Sequence, residues 1–134
     1  LYGQFEGQWA RDNLDSSEKF VLGGAYGVRA YPQGEAAGDQ GWLAKLELRY
    51  ALAPAWQLSA FPDHGAVRIN RDPWAAGRNE RRLSGAGLAV EWTSGGADSG
   101  WRAQASAAWK TGDEAATAGP ARSPRLWLRL AREF

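Results

Sequence analysis

The segment WLAKLELRYAL, residues 42–52, separates into two chemically distinct sets when read in alternation. Trp42, Ala44, Leu46, Leu48, Tyr50 and Leu52 make one face; Leu43, Lys45, Glu47, Arg49 and Ala51 make the other. A helical period would mix the sets, so the segment predicts a β-strand with one apolar and one charged face. The same period recurs along the chain. Trp101, Ala103, Ala105, Ala107 and Trp109 oppose Arg102, Gln104, Ser106, Ala108 and Lys110. Ala86, Leu88, Val90 and Trp92 oppose Gly85, Gly87 and Glu91. At the start, Leu1, Phe5 and Trp9 oppose Tyr2, Gln4, Glu6 and Gln8; at the end, Leu126, Leu128, Leu130 and Phe134 oppose Trp127, Arg129 and Glu133. Trp56, Leu58 and Ala60 oppose Gln57, Ser59 and Asp63, until Pro62 and Gly65 predict a bulge or kink beyond which the facing is unassigned. The expectation is an all-β chain of six strands without a helix.

The connections alternate in length. Long ones cover about residues 11–41, 70–81 and 112–124, and short ones fall at Ala53-Pro54-Ala55 and at 94–100. Such a rhythm predicts an up-and-down antiparallel topology, with large loops at one end and tight turns at the other.

Two architectures share this pattern. A soluble sandwich turns the apolar face inward, whereas a membrane barrel turns it to lipid and lines its lumen with charge. Alanine in a row at 103, 105 and 107 would fill a soluble core poorly but suits a lipid-facing surface. The chain has eight tryptophans, and they concentrate at strand ends. Trp9, Trp42 and Trp109 border long loops, while Tyr50, Trp56, Trp92 and Trp101 border tight turns, as two aromatic girdles would. Strands of about 9–11 residues tilted near 40° cross roughly 25 Å, the height of the apolar band of such barrels. A transmembrane β-barrel is therefore expected, with Lys45, Glu47, Arg49, Glu91, Arg102 and Lys110 facing its lumen.

Composition removes other classes. A net charge of +1 gives no case for nucleic acid. The chain has no cysteine and one histidine, so thiolate and multi-histidine metal sites are not expected, nor is any cofactor. Asp63-His64 is the acid–histidine neighbour pair, but adjacent strand residues point to opposite faces and no nucleophile motif accompanies it. The glycine cluster LGGAYG lacks the spacing and the lysine of a phosphate loop. Asp12, Asp15, Asp113 and Glu114 are expected to keep exposed loops solvated. Nothing here reads as an enzyme. The opening of the chain inside an alternating segment suggests a piece of a longer protein.

The segment KFVLGGAYGVRAYPQGEAAGDQGW, residues 19–42, stands apart, with six glycines and a lone arginine inside an apolar run. It is too long for an ordinary connector. Arg29 in such a loop can fold back into a pore, and Asp63, continuing the polar face of Gln57 and Ser59, would there need water or a cation partner.

This segment and its flanks resemble the C-terminal barrel region of the two-partner-secretion transporters of Gram-negative outer membranes, the hemolysin activator and filamentous-hemagglutinin exporter type, within the superfamily of barrel-assembly proteins. The resemblance runs along essentially the whole chain and is most specific from Leu22 to Glu35 and from Phe61 to Gly65. It implies that residues 1–134 form one partial domain, the last six strands of a sixteen-stranded barrel that follows periplasmic POTRA domains. The family's V-R-G-[YF] loop motif matches Val28, Arg29 and Tyr31, with Ala30 at the glycine position. Its F-x-D-x-G motif matches Phe61, Asp63 and Gly65, and by resemblance Arg29 pairs with Asp63 inside the lumen. Leu126, Leu128, Leu130 and Phe134 look like a C-terminal outer-membrane barrel signal, from which Arg132 departs. The implied function is a translocation pore for a secreted exoprotein, with outer-membrane lipid and the barrel-assembly machinery as further partners. A passive channel or ligand-binding barrel without protein cargo is the alternative.

Overall fold

The computed structural model describes residues 1–96 and 99–133. Eight strands follow in chain order: β1 (Tyr2–Gln8), β2 (Phe20–Val21), β3 (Ala37–Gly38), β4 (Gln40–Ala53), β5 (Trp56–Arg68), β6 (Glu80–Gly96), β7 (Ser99–Lys110) and β8 (Arg125–Glu133). The six long ones are the six alternating segments of the sequence. They form one antiparallel sheet in the order β1-β4-β5-β6-β7-β8, so strands adjacent in sequence are adjacent in space. Among the described residues the sheet is open, with β1 and β8 at its edges. No helix is long and apolar enough to cross a membrane, a fact with no bearing on strands that cross one.

Two local expectations are corrected. Pro62 and Gly65 introduce no bulge: the register is the same at Lys45–Asp63 and at Leu48–Ala60, although the ladder skips Leu46–Pro62 and Glu47–Phe61 between them. Proline lacks an N–H, which fits the gap on the β4 side, while on the other side Pro62 stays in register opposite Ala86 of β6. The irregularity lies instead beside the tight turn, between Ala51 and Ala53. The second hairpin is also tighter than the 94–100 turn expected, since β6 and β7 pair as far as Gly96 and Ser99.

The distribution of burial shows which face of the sheet is covered. Leu46, Leu48, Tyr50, Leu88, Leu126, Leu128 and Leu130 are all at least half exposed, and Leu128 reaches 79%. The charged face of the sheet is the covered one. Leu43, Phe61, Asp63, Val67, Leu83, Ala89 and Ala108 are buried on it, beneath Leu22, Val28, Ala30, Tyr31 and Ala36 of the long first loop. The core thus lies between the loop and the polar side of the sheet. Contiguous exposed leucine on the other side is an arrangement that water disfavours and an apolar solvent accepts.

The covering loop is itself ordered by backbone hydrogen bonds. β2 and β3 pair as a small hairpin, and Gly23 bridges Val28 in parallel. Val28 N–H donates to Leu22 O at 2.7 Å and Gly23 N–H to Glu35 O at 2.9 Å. Residues 22–36 therefore close on themselves before they meet the sheet.

Candidate functional site

Arg29 sits where the loop presses deepest onto the sheet. Its side chain is 7% exposed, and that of Asp63 is fully buried. The guanidinium donates from Nε to Asp63 Oδ2 at 2.8 Å and from NH2 to Asp63 Oδ1 at 2.7 Å, a two-pronged pairing. Its third nitrogen, NH1, donates to Glu47 Oε1 at 2.7 Å, and its backbone N–H donates to Asp63 Oδ2 at 3.1 Å. Below, the guanidinium carbon stands 3.3 Å from the centre of the Phe61 ring. Arg49 holds the other oxygen of Glu47, from Nε at 2.9 Å. The charges alternate as Arg49, Glu47, Arg29, Asp63, so every buried charge faces an opposite one.

Strand alternation explains how the sheet supplies this set. Phe61 and Asp63 are two apart on β5 and share the covered face; Lys45, Glu47 and Arg49 do so on β4, with Lys45 directly opposite Asp63. Gly65 completes the set by absence: a Cβ there would lie 2.6 Å from Leu22 Cδ2 and 2.6 Å from the Trp42 carbonyl. Ala30, at the glycine position of the loop motif, is not among the positive-φ residues, so its backbone does not require glycine. Its methyl group is received by Gly85, where a Cβ would lie 2.6 Å away. Tyr31 is fully buried and donates its hydroxyl to Glu114 O at 2.9 Å.

Several contributors carried no motif in the sequence. Trp127 Nε1 donates to Arg29 O at 2.7 Å, tying the last strand to the loop tip; its place on the polar face of β8 was the available signal. Glu35 is fully buried and accepts from Thr117 N, Thr117 Oγ1 and Ala118 N at 2.7–2.8 Å, and from Arg81 NH1 at 2.5 Å. Burial pushes the Glu35 carboxyl up, but the bonds from Thr117, Ala118 and Arg81 outweigh it and hold the group below its ordinary value. Asp39 behaves alike: burial is outweighed by Lys19 and by the amides of Arg71 and Leu14. Lys19 Nζ is 2.8 Å from Asp39 Oδ1. Glu114, expected in a solvated loop, is nearly buried instead, pairing with Arg81 at 2.8 Å and with Arg78. The reason is that residues 111–118 fold back over the loop tip, bringing Glu114 against β6. Asp12, Asp15 and Asp113 are exposed.

The remaining charges of the polar face surround an open cavity of about 460 Å³, lined by Lys45, Glu47, Arg49, Glu91, Arg102 and Arg129 among others. Lys45 Nζ donates to Tyr26 O at 2.8 Å, and Lys110 Nζ stands 5.8 Å from the Tyr31 ring. Leu126, Leu128 and Leu130 line the bare face of β8, while Phe134 lies outside the described residues. His64 points away from Asp63, to the bare face, where its Nδ1 is 2.5 Å from Ser84 Oγ and its ring meets Trp42 edge-on. The pair is split across the sheet and cannot act together. Among the described residues no group of three or more acids or histidines could hold a metal ion.

Comparison with known proteins adds the family. The family model described as haemolysin secretion/activation protein ShlB/FhaC/HecB matches residues 1–92. The heme/hemopexin transporter protein HuxB of Haemophilus influenzae strain 86-028NP is 30% identical over 97 residues, covering 67% of this chain and 17% of that protein. HuxB of Haemophilus influenzae strain Rd is 44% identical over 46 residues, covering 34% of this chain and 8% of its own length. The chain thus spans a small part of these relatives. No solved structure matches it. With more than half of its length matched by the family model, the chain belongs to the haemolysin secretion/activation family, the two-partner-secretion transporters of the outer membrane.

Proposed function

We propose that residues 1–134 are the last six strands of a sixteen-stranded outer-membrane barrel, and that the whole protein exports a secreted partner exoprotein through its lumen. The bare leucine-rich face meets lipid, the polar face lines the pore, and loop 19–41 lies in the lumen, anchored by Arg29 to Asp63. The motifs Val28-Arg29-Ala30-Tyr31 and Phe61-Pro62-Asp63-His64-Gly65 act as the two halves of that anchor. No covalent chemistry is assigned to the protein. A heme- or hemopexin-linked exoprotein is the first cargo to test, because the relatives' names attach those molecules to their transport.

The observation that carries this reading is the buried ion network joining the loop to the polar face of an otherwise inverted sheet. A loop held only by apolar contacts would seal a cavity equally well. Charges held in alternation give one defined position and can be exchanged for water when the loop moves. The test uses the full-length protein in a Gram-negative outer membrane. Arg29→Asp and Asp63→Arg should each abolish secretion, and the double exchange should recover part of it. No recovery in a double variant that keeps the heat-modifiable gel mobility of a folded barrel would refute direct pairing. Deleting residues 23–34 separates the alternative: a passive channel keeps inserting and conducting, whereas an exporter loses secretion.

A further inference from the structure

The bare face of the sheet is apolar along most of its height, but at the long-loop end of β4–β6 it carries charge. Alternation places His64 and Arg68 of β5 and Glu80 and Arg82 of β6 on this face, all exposed. Arg68 lies opposite Glu80, Ala66 opposite Arg82, and His64 opposite Ser84. Arg82 is therefore the diagonal neighbour of both Arg68 and His64, a spacing of about 7–8 Å between Cα atoms. Trp9 and Trp42 flank the group, and together these residues line a cavity of about 380 Å³. At this level β5 is paired on both sides, with β4 and β6, while residues 80–84 of β6 extend beyond the β7 ladder and pair with β5.

We propose that this cavity binds a phosphate group of an outer-leaflet lipid; the inference rests on the lipid-facing barrel given under Proposed function, with the long-loop end of the strands at the cell exterior, where outer-membrane barrels carry their longer loops. Three observations support it. The Arg68 guanidinium makes no ion pair or side-chain hydrogen bond among the described residues, and Arg82 reaches Glu80 only at 3.8 Å. Arg29 and Arg81, by contrast, each engage two carboxylates. Guanidinium forks with open donors, side by side, match a phosphate, and their aliphatic stems can lie along apolar surface. The location selects a lipid over a dissolved anion: the cavity opens sideways, in the plane where the exposed leucines meet acyl chains, and Trp9 and Trp42 mark the interface level. The walls are mixed, with the Trp42 ring stacked on Phe5 at 6.2 Å below the charged rim. An acyl chain can lie against the rings while its headgroup phosphate meets Arg68 and Arg82. Glu80 supplies opposing charge, so affinity depends on the phosphate reaching both arginines at once.

The test uses the full-length protein, purified in a mild detergent and shown to be folded by heat-modifiable mobility. Lipid A, its dephosphorylated form and inorganic phosphate are titrated, and binding is read by native mass spectrometry and by the unfolding temperature. Lipid A should bind and raise the unfolding temperature, and the other two should not. Arg68→Gln with Arg82→Gln should weaken lipid A binding by at least about tenfold, and Glu80→Gln should tighten it severalfold. Arg122→Gln, a loop position remote from the cavity, should bind as the native protein does. Equal binding of dephosphorylated lipid A, equal binding by the double arginine variant, or saturation by inorganic phosphate alone overturns the proposal. Absence of heat-modifiable mobility in the native protein would instead overturn the barrel reading beneath it.

Discussion

Replacing Asp63 with alanine removes the acceptor of three hydrogen bonds, from Arg29 N, Nε and NH2 at 3.1, 2.8 and 2.7 Å. The guanidinium left behind, 7% exposed in the native protein, still has Glu47 at 2.7 Å to pair with, so it is half-compensated rather than bare. Breaking a buried pair by removing one partner costs about 3–5 kcal/mol, and the remaining Glu47 contact argues for the lower end, about 3 kcal/mol. At that size the ratio of docked to undocked loop falls about 100-fold. Removing Glu47 is expected to cost less, because the Asp63 contacts remain and hold Arg29 in place. A double-mutant cycle over Arg29→Ala and Asp63→Ala isolates the coupling, and the same cycle over Arg29→Ala and Glu47→Ala should give a smaller one. The assay is hydrogen exchange of the amides in residues 22–36 of the folded full-length protein, which reports the free energy of local opening. A coupling below about 0.5 kcal/mol for Arg29 and Asp63, in the range expected for independent sites, would refute the argument that this pair positions the loop.

Gly85→Ala should speed exchange in the same segment, since its Cβ would lie 2.6 Å from that of Ala30, an overpacking cost of about 1–3 kcal/mol; adding Ala30→Gly should restore most of the loss. Acid should loosen the loop: Glu35 and Asp39 are held below their ordinary values, so their contribution is complete above the usual carboxylate range and fades as pH falls below about 4.3 through the lowered values. Exchange measured between neutral pH and pH 3, corrected for intrinsic rates, checks this, and Glu35→Gln should flatten the dependence. Trp127→Phe removes the donor to Arg29 O and should cost about 1 kcal/mol of loop protection without altering barrel mobility on gels.

Besides Glu47, three buried carboxylates divide the work of holding the loop. Asp63 fixes the tip to β5, Asp39 ties its return to Lys19 and to the amides of Leu14 and Arg71, and Glu35 joins it to residues 117–118 beyond β7. The first long loop and the last one are thus a single hydrogen-bonded body above the sheet. A perturbation at Glu35 should be felt at both.

Alternation placed six strands and most of the membership of their faces, because side chains on a pleated strand must point to opposite sides, and the rhythm of long and short connections gave their up-and-down order. Alternation put Asp63 on the polar face with Gln57 and Ser59, whereas Phe61 and Gly65 entered through the motif resemblance and their shared side with Lys45, Glu47 and Arg49 came from the sheet register. Which side would be covered was legible only indirectly, through alanine rows and tryptophans at strand ends. No bulge formed at Pro62, but the β4–β5 ladder skips that position, as fits a residue without an N–H to donate. Partner choice was decided by the tertiary structure. Arg29 and Trp127 are 98 residues apart, and Glu35 and Thr117 are 82 apart, and no local pattern specifies meetings at that range. Glu114 looked like a solvated loop acid because its sequence neighbours are small and polar; folding brought Arg81 and Arg78 to it. Period and polarity act within a strand and so can be read from the chain, whereas the pairing of buried charges depends on where a long loop lands.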